Sequence, residues 1–577
     1  MTMAQRNSYL TSKAFKIYLS ASILTALSSM LGNIVDSIIV SNLVSHDAMS
    51  AVSLARPLIQ LYYTVYLLFG LGGSLLVAYA MGKNDKAAAN RTFSLVTYVL
   101  VGFSLIITVI GVARAQIVVD LFCTSEEVYQ YALEYFRPVL WGSLFYFGSY
   151  FLGTYTTIDG SPRLVSFAMI ADNIVNLLCD ILLIKCFDMG TGGSSIASLI
   201  GHVVGIAIMA LPYMRGKSSF RLVKVKFNGM IRSIAEIARS GAPFAVASIC
   251  LTVYMYTANI IIQDNFGAAG IYIFSVMLSL LTFYNFFLAG ACNTLQSLGA
   301  LLVGMGDIVG LRLSVNAAFK FLIASLAVCC GILWIAPGFV CKMFGCPDEL
   351  LSECCYACRI YAAAFVFFCI IYLLMVNYKL LKHEALSNFL SFALSLSVIP
   401  VMWIIAIYAP KAIWWSNLIA YVLVFAILLV WSECQRKNGA SHITLQPVRE
   451  QYPTLDFSVE YSNIGLEDAL TCISNFLDDN KVSEERKFGI KLSAEELLKN
   501  VIEHSHDKIK GSPYIDMRLS VLTDGSVIFT LRDDGKPFDP LSFNAANEGF
   551  GLKLATAFNQ KLSYKYMFGQ NISTIEF

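Results

Sequence analysis

The chain has 577 residues, of which 57% are apolar and 14% are charged, and its mean hydropathy is +0.65. Soluble globular proteins are typically about 45–50% apolar and about 25% charged. The composition therefore excludes a soluble enzyme, a disordered chain and a small disulfide scaffold, and it predicts a polytopic membrane protein. Charge is unevenly distributed, since 34 of the 80 charged residues follow residue 440. We expect a membrane part followed by a soluble part.

Apolar segments long enough to cross a bilayer recur up to residue 432. In lipid every backbone polar group must be satisfied within its own segment, so spans of about 20 residues are helices. The sequence predicts twelve spans, at about 16–40, 55–80, 92–113, 131–155, 164–184, 193–214, 241–262, 269–292, 317–340, 357–377, 386–408 and 413–432. The lipid bilayer is therefore a predicted partner.

Lysine and arginine predict the orientation of these spans. The N-terminus and the loops after spans 2, 4, 6, 8 and 10 carry about 17 basic residues, whereas the alternate loops carry about 4. Loops rich in basic residues stay on the cytoplasmic side. We therefore expect a multi-pass protein of the cell (cytoplasmic) membrane, with both termini and the C-terminal soluble domain in the cytoplasm.

The membrane part is predicted to consist of two six-helix halves, at about 1–215 and 232–435. The basic loop 215–239 lies midway, where a linker between the halves would be. A faint internal repeat supports the division, because Gly82 aligns with Gly304 at an offset of 222 residues. Two parallel six-helix halves around a central cavity are a common transporter plan.

Fifteen cysteines are scattered along the chain, several of them within apolar segments. Cys354, Cys355 and Cys358 form a cluster, but no second pair stands at zinc-site spacing. We interpret these residues as buried or lipid-facing thiols.

Polar residues inside the predicted spans indicate a function, because hydrocarbon makes them costly. Asp36 lies in span 1, Asn176 and Asp180 in span 5, and Ser198 in span 6, all at similar depth. Two carboxylates with amide and hydroxyl oxygens suit a hard cation such as Na⁺. Two neighbouring carboxylates can also share a proton, which suits proton coupling. The alternative is that these residues are helix-end groups that face water or lipid headgroups.

The membrane part resembles the multidrug and toxic compound extrusion (MATE) family, especially its DNA-damage-inducible F-like branch. The resemblance covers about residues 12–435. It rests on four segments, VDSIIVSNLVSHDAMSAVSLARPL (35–58), GGSLLVAYAMGKNDKAAANR (72–91), GSPRLVSFAMIADNIVNLLCDILL (160–183) and GTGGSSIASLIGH (190–202). Two positions depart from the family pattern, because Ser41 replaces the usual glycine and Ile181 the usual proline.

The resemblance implies a role for the polar residues of spans 1, 5 and 6. Asp36, Asn176 and Asp180 match the family's cation site, and Ser198 stands where the branch often has threonine. The implied activity is export of small amphipathic, often xenobiotic compounds in exchange for Na⁺ or H⁺. The wider superfamily also contains flippases of lipid-linked precursors, so the substrate class stays open.

After a polar linker at 436–453, residues 454–577 predict a soluble α+β domain. We expect strands at 454–460, 514–521, 526–532, 561–567 and 571–577, and helices at 464–478 and 483–505. Asp524–Gly525 is a hairpin signal. The net charge after residue 440 is about −6, which gives no reason to expect a nucleic-acid partner.

Three motifs in this domain suit a nucleotide. Glu496 and Asn500 lie four residues apart on one helix face, where an Asn oxygen can bind Mg²⁺ and a Glu can act as a base. A buried Asp533 can accept a hydrogen bond from an adenine amino group. Glycines before a helix, such as Gly549 and Gly551, allow backbone N–H groups to approach phosphate.

Together these motifs resemble the histidine-kinase/Hsp90-type ATP-binding fold (GHKL), and within it the anti-sigma-factor serine-kinase branch. ELLKNVIEHS (496–505) matches the N box, LRDDGKPFD (531–539) the first glycine box and GFGLKLA (549–555) the second. The resemblance implies ATP and Mg²⁺ as cofactors. It implies Glu496 as catalytic base, Asn500 as Mg²⁺ ligand, and nucleotide contacts from Asn500 and the residues Asp533, Gly535, Gly549, Gly551 and Thr574.

The whole sequence thus predicts a secondary exporter first and an enzyme second. The ATP-binding domain would regulate transport or act as a serine/threonine kinase on a cytoplasmic protein. No phosphate-binding Gly-x-x-x-x-Gly-Lys-Ser/Thr loop is present, which disfavours ATP-driven pumping. Two alternatives stay open: a membrane sensor-kinase whose transporter-like body is a ligand receptor, and a flippase of lipid-linked precursors. The sequence does not decide between Na⁺ and H⁺ coupling.

Overall fold

The computed structural model describes residues 6–44, 46–122, 126–225, 229–344, 346–436, 444, 452–505, 514–537, 561–567 and 569–577. Within some helices the side chains lie outside this description, including those of residues 29–43. The chain divides into two compact units. The helical unit comprises Leu19–Asp307 and Val315–Gln446, and the sheet unit comprises Met1–Tyr18, Ile308–Ser314 and Pro447–Phe577.

The membrane part is built from fifteen α-helices along its described residues. They are α1 Tyr9–Leu43, α2 His46–Val65, α3 Gly72–Gly82, α4 Lys86–Phe122, α5 Glu126–Trp141, α6 Ser143–Ile158, α7 Pro162–Asp180, α8 Gly190–Met214, α9 Met230–Gly304, α10 Ile308–Ile335, α11 Pro337–Met343, α12 Leu351–Leu380, α13 Glu384–Leu396, α14 Val398–Tyr408 and α15 Ser416–Arg436. Two π-helical turns, Tyr66–Leu71 and Ile181–Cys186, extend α2 and α7, and a 3₁₀ turn, Pro410–Trp415, precedes α15.

Ten described helical segments are long and apolar enough to cross a membrane. They coincide with ten of the twelve predicted spans, all except the first and the fourth. The first predicted span falls on α1. The fourth, predicted as one helix, is two helices that meet at Gly142, so this expectation of a continuous helix was wrong. A Cβ at Gly142 would lie 2.3 Å from Leu199 and 2.7 Å from the Pro138 carbonyl, so close packing requires glycine there.

Helix α9 contains two of these segments, which are separated at Gly267. Gly267 has φ +59° and ψ −148°, a conformation that is essentially restricted to glycine. The break produces the seventh and eighth predicted spans.

Gly82 and Gly304, the two residues paired by the internal repeat, contact each other. A Cβ added to Gly82 would lie 2.6 Å from Gly304 Cα, and one added to Gly304 would lie 2.8 Å from Gly82 Cα. Only glycine permits this approach of α3 and α9. The contact joins equivalent positions of the two predicted halves, whose boundaries stay a prediction.

Among its described residues, the sheet unit contains five antiparallel strands in the order β1-β2-β3-β5-β4 and two further helices. These elements are β1 Thr454–Glu460, α16 Asn463–Asp479, α17 Glu484–Ser505, β2 Tyr514–Val521, β3 Val527–Asp533, β4 Lys561–Met567 and β5 Gln570–Glu576. All seven predicted elements are confirmed to within two residues. Gly525, between β2 and β3, has φ +79°, as the predicted hairpin requires.

The two faces of the sheet differ in character. One face and the two helices form a hydrophobic core that includes Phe457, Met517, Phe529 and Leu498. The opposite face is polar and buried, because the residues that alternate with the core positions include Asp456, Ser458, Asp516, Arg518 and Arg532. Chain-terminal residues from Arg6 to Lys13 contact this polar face.

Candidate functional site

The predicted cation site is partly assembled by α7 and α8. Asn176 on α7 donates through Nδ2 to Ser198 Oγ on α8, at 3.0 Å. Asp180 lies one turn further along the same face of α7 and is fully buried. The side chain of Asp36 on α1 lies outside the described residues. Three of the four predicted residues therefore share one packed helix interface in the helical unit.

A second acid on the same face of α7 has a histidine partner. Asp172 Oδ2 lies 2.9 Å from His202 Nδ1 on α8. Gly201 permits this approach, since a Cβ there would lie 2.5 Å from Asp172 Oδ1. The His202 ring also packs edge-on against Tyr146, with centroids 4.8 Å apart. The pair adds a second polar contact between α7 and α8 at this interface.

A cavity of about 260 Å³ opens within the helical unit. Tyr63, Tyr66 and Tyr150 line it as an aromatic cluster with ring centroids 5.3–5.8 Å apart. Hydroxyl and amide groups complete the wall, among them Thr154 and Gln296. No charged side chain is among its lining residues in the described part of the chain. Such a wall offers stacking surface and hydrogen bonds, and its ring faces attract organic cations.

In the sheet unit, Asp533 ends β3 and is almost completely buried. Its Oδ1 accepts hydrogen bonds from Asn571 Nδ2 at 2.8 Å and from the Gly535 amide at 2.9 Å. Burial raises the pKa of the Asp533 carboxyl to about 6, against the lowering effect of these two donors. The two bonds fix the carboxyl group in one orientation, as recognition of an adenine amino group would require.

The N-box residues Glu496 and Asn500 lie on α17 and are both half-buried. Neighbouring residues Leu497 and Leu498 anchor this helix in the core shared with β3. Gly549 and Gly551 lie outside the described residues, so the second glycine box stays a prediction.

The residue after Asp533 contacts the first helix of the chain. Asp534 Oδ2 lies 2.6 Å from Lys13 Nζ on α1, and the Asp534 side chain is fully buried. Both residues belong to the sheet unit. The first glycine box and the start of α1 are therefore joined by an ion pair.

The comparisons with known proteins separate the chain into two parts. Residues 21–182 match the MatE family, and residues 464–575 match the histidine kinase-like ATPase domain family. The chain combines a MatE domain with a histidine kinase-like ATPase domain. The small antiparallel sheet with helices on one face is consistent with the GHKL class.

Curated relatives of the MatE part are named multidrug export protein MepA. The protein from Staphylococcus saprophyticus is 21% identical over 286 residues, which cover 49% of this chain and 63% of that relative. The protein from Staphylococcus haemolyticus is 19% identical over 391 residues, covering 66% of this chain and 85% of the relative. The alignment thus spans less than two thirds of the first relative's length.

Solved structures show the MATE transporter fold for the membrane part. The MATE multidrug transporter DinF-BH has a TM-score of 0.67 and 21% identity, covering 76% of this chain and 98% of its own. The Vibrio cholerae MATE transporter VcmN in the bent form has a TM-score of 0.65 and 18% identity, covering 75% and 98%. With its ten long apolar helices, the chain is a multi-pass membrane protein.

Register in the ATPase domain separates Thr574 from Asp533. Across the β3–β5 pair, Thr574 lies opposite Thr530 and Asn571 lies opposite Asp533. Thr530 and Asp533 are three residues apart on β3, an odd number, so the side chains of Thr574 and Asp533 point to opposite faces of the sheet. Ser573 shares the face of Asp533 and is buried. The expected grouping of Thr574 with Asp533 is therefore not found, because a shift of one residue in a strand reverses the face.

Sequence reasoning also missed three partners of residues that it identified. His202 is the last residue of the quoted segment GTGGSSIASLIGH (190–202) and has glycines at positions 201 and 205, which was a usable signal. Asn571 and Lys13 carried no local signal, because they meet Asp533 and Asp534 across 38 and 521 residues of sequence.

Proposed function

We propose that this protein is an ion-coupled secondary exporter of small amphipathic compounds in the cell membrane, with its termini and ATPase domain in the cytoplasm. The observation that carries the proposal is the uncharged, tyrosine-lined cavity. Amphipathic cations bind such walls through stacking and cation–π attraction, without a fixed counter-charge that would restrict the substrate. The relatives named for multidrug export support the same class.

The coupling ion, Na⁺ or H⁺, would bind at Asp180, Asn176 and Ser198, together with Asp36 from the first helix. A buried carboxylate next to amide and hydroxyl oxygens can exchange a proton or hold a small hard cation. The hydrogen bond from Asn176 to Ser198 supports this assignment. It shows that the amide of α7 and the hydroxyl of α8 lie next to each other across the helix interface. Binding the ion in one state of the transporter more tightly than in another would drive export.

The ATPase domain would bind ATP with Mg²⁺, using Asn500 for the metal and Asp533 for adenine. Glu496 would act as a base toward water or toward a serine hydroxyl of a cytoplasmic partner. The Lys13–Asp534 ion pair favours regulation of transport, because it gives the first glycine box a direct contact with α1. Nucleotide binding can shift transport only if it favours one transporter state over the other.

Two alternatives make different demands on the cavity and on transport. A flippase of lipid-linked precursors needs cationic side chains for phosphate groups, and the lining residues described here are uncharged. A sensor-kinase needs ligand binding without net transport. The uncharged wall therefore favours export over flipping, and flux measurements separate export from sensing.

Efflux from proteoliposomes tests the proposal. Vesicles with the ATPase domain inside receive an imposed Na⁺ or proton gradient, with and without internal MgATP. The wild type is compared with Asp180→Asn, and Asp264→Asn is the matched control because Asp264 is exposed on α9. We expect gradient-driven flux that is lost in Asp180→Asn and retained in Asp264→Asn. No flux under any gradient, with ATP binding intact, would instead support the sensor-kinase.

A further inference from the structure

Five of the fifteen cysteines lie within eighteen residues, between Cys341 and Cys358. Cys341 is on the short helix α11, and Cys354, Cys355 and Cys358 are in the first two or three turns of α12. The spacing of the last three places Cys354 and Cys358 on one face of α12 and Cys355 beside it. α11 and α12 pack against each other, and this packing brings Cys341 to the group.

The sulfur atoms converge at metal-site distances. The Sγ atoms of Cys341, Cys354 and Cys358 all lie within 4.8 Å of one another, and all three residues are buried. Cys341 Sγ lies 3.6 Å from Cys358 Sγ and 4.0 Å from Cys355 Sγ. A tetrahedral zinc site with Zn–S bonds of about 2.3 Å has sulfur atoms about 3.8 Å apart, which falls within this range.

We propose that Cys341, Cys354 and Cys358 bind a thiophilic metal ion of the Zn²⁺ class. Thiolate donors select soft or borderline cations, and a Zn²⁺ ion held by three cysteines completes its tetrahedron with one further ligand. The ion would tie α11 to the beginning of α12. The sequence analysis did not predict this site, because Cys341 is thirteen residues from Cys354 and only the packing of α11 on α12 brings the two together.

The position of Cys354 at the start of a helix suits a metal-bound thiolate. Cys354 lies in the first turn of α12, where the helix dipole stabilises negative charge. Lys342, which also pairs with Asp348 at 3.3 Å, and Arg359 directly follow two of the donors in sequence and can offset part of the negative charge of bound thiolates. A disulfide would use only two of the sulfur atoms and would need an S–S distance of about 2.05 Å.

Metal binding by the purified full-length protein tests the proposal. The reduced protein in detergent is titrated with Co²⁺ as a spectroscopic probe and then with Zn²⁺ as a competitor. We expect one Co²⁺ per chain with intense thiolate-to-cobalt charge-transfer absorption that Zn²⁺ abolishes. Binding of less than about one tenth of an equivalent of Co²⁺ to the wild-type protein would overturn the proposal. This outcome does not depend on whether any variant folds.

Variants then locate the site. Cys341→Ser and Cys358→Ser are each expected to weaken Co²⁺ binding at least tenfold. Cys250→Ser is the matched control, since Cys250 is also buried but lies on α9, and it is expected to bind as the wild type does. Equal binding by all variants, or a Cys341–Cys358 disulfide in the unreduced protein whose reduction yields no metal binding, would overturn the proposal.

Discussion

Lys13 Nζ on helix α1 lies 2.6 Å from Asp534 Oδ2, and Asp534 directly follows the buried carboxyl of the first glycine box. The helix that carries Lys13 continues to Leu43 and contains Asp36. The first glycine box is therefore in direct contact with the helix that carries one of the proposed coupling acids. This relationship gives the proposed regulation a structural basis that can be tested.

Replacing Lys13 by alanine should uncouple nucleotide from transport. Lys13 is partly exposed but Asp534 is fully buried, so the substitution leaves a buried carboxylate without its cation and should lower the stability of the sheet unit by more than a surface ion pair contributes. ATP affinity is therefore measured alongside efflux, under conditions in which the variant stays folded. The effect of ATP on efflux should nevertheless fall by at least half, because the link to α1 is removed. Lys16→Ala is the control, since Lys16 is exposed on the same helix. An unchanged ATP effect on efflux in Lys13→Ala would exclude this contact as the link.

Arg6 should be important for the stability of the sheet unit. Its side chain is 3% exposed and pairs with Asp456 and Asp516, each at 3.2 Å. Removing one partner of a buried ion pair typically costs about 3–5 kcal/mol. We expect Arg6→Ala to accelerate hydrogen exchange in β1 and β2, and Arg6→Lys to show a smaller effect. Exchange at the wild-type rate in Arg6→Ala would show that the pairs contribute nothing to stability.

ATP affinity should fall as the pH is lowered through about 6. Burial raises the pKa of Asp533 to about 6, so the carboxylate that accepts the adenine amino group is protonated below this pH. At pH 5 about one molecule in ten retains the anion, which predicts roughly tenfold weaker binding than at pH 7.5. Fluorescent-nucleotide titrations measure this. The ratio of wild-type to Asp533→Asn affinity cancels the protonation of ATP itself and should approach one at low pH.

The same raised pKa makes a prediction about stability. Because Asp533 binds a proton more tightly in the folded state than in the unfolded state, the domain loses stability as the pH rises from 3.8 to about 6, and the loss is complete above that pH. The effect is roughly 3 kcal/mol at neutral pH. Asp533→Asn should therefore slow hydrogen exchange in β3 at pH 7.5 and leave it nearly unchanged at pH 4. Faster exchange at pH 7.5 would contradict the prediction.

Ser573 and Thr574 should differ in their effect on nucleotide binding. Ser573 shares the sheet face of Asp533, whereas Thr574 faces the other side opposite Thr530. Loss of a hydroxyl hydrogen bond costs about 1 kcal/mol, so Ser573→Ala should weaken ATP binding about fivefold. Thr574→Ala should bind ATP as the wild type does. Weaker ATP binding by Thr574→Ala, with unchanged binding by Ser573→Ala, would instead support a contact between Thr574 and adenine.

Asp172 and His202 should be coupled energetically. Replacing either residue alone leaves the other in the α7–α8 interface without the hydrogen bond that joins them at 2.9 Å. Asp172→Asn, His202→Gln and the double variant form a cycle whose coupling energy should be about 1–3 kcal/mol in thermal unfolding. Additive effects within about 0.3 kcal/mol would show that the two side chains act independently.

The sequence by itself determined the division into membrane and soluble parts and most of the elements. Composition and the length of apolar segments decide which segments cross a bilayer, because lipid leaves the backbone no other way to satisfy its hydrogen bonds. Alternation and turn residues predicted all five strands of the ATPase domain, since strand and turn preferences are local. Similar depth in spans 5 and 6 also predicted that Asn176 and Ser198 lie close together, and the two side chains are hydrogen-bonded.

Only the tertiary structure decided which side chains meet across the chain. The face of Thr574 depends on the pairing of β3 with β5, and local sequence does not specify the register. Lys13 reaches Asp534 across 521 residues, and Cys341 joins Cys354 and Cys358 through the packing of α11 on α12. Such contacts form when segments that are distant in sequence pack against each other. Periodicity in a sequence indicates only which face of a segment is buried, and not which other segment covers it.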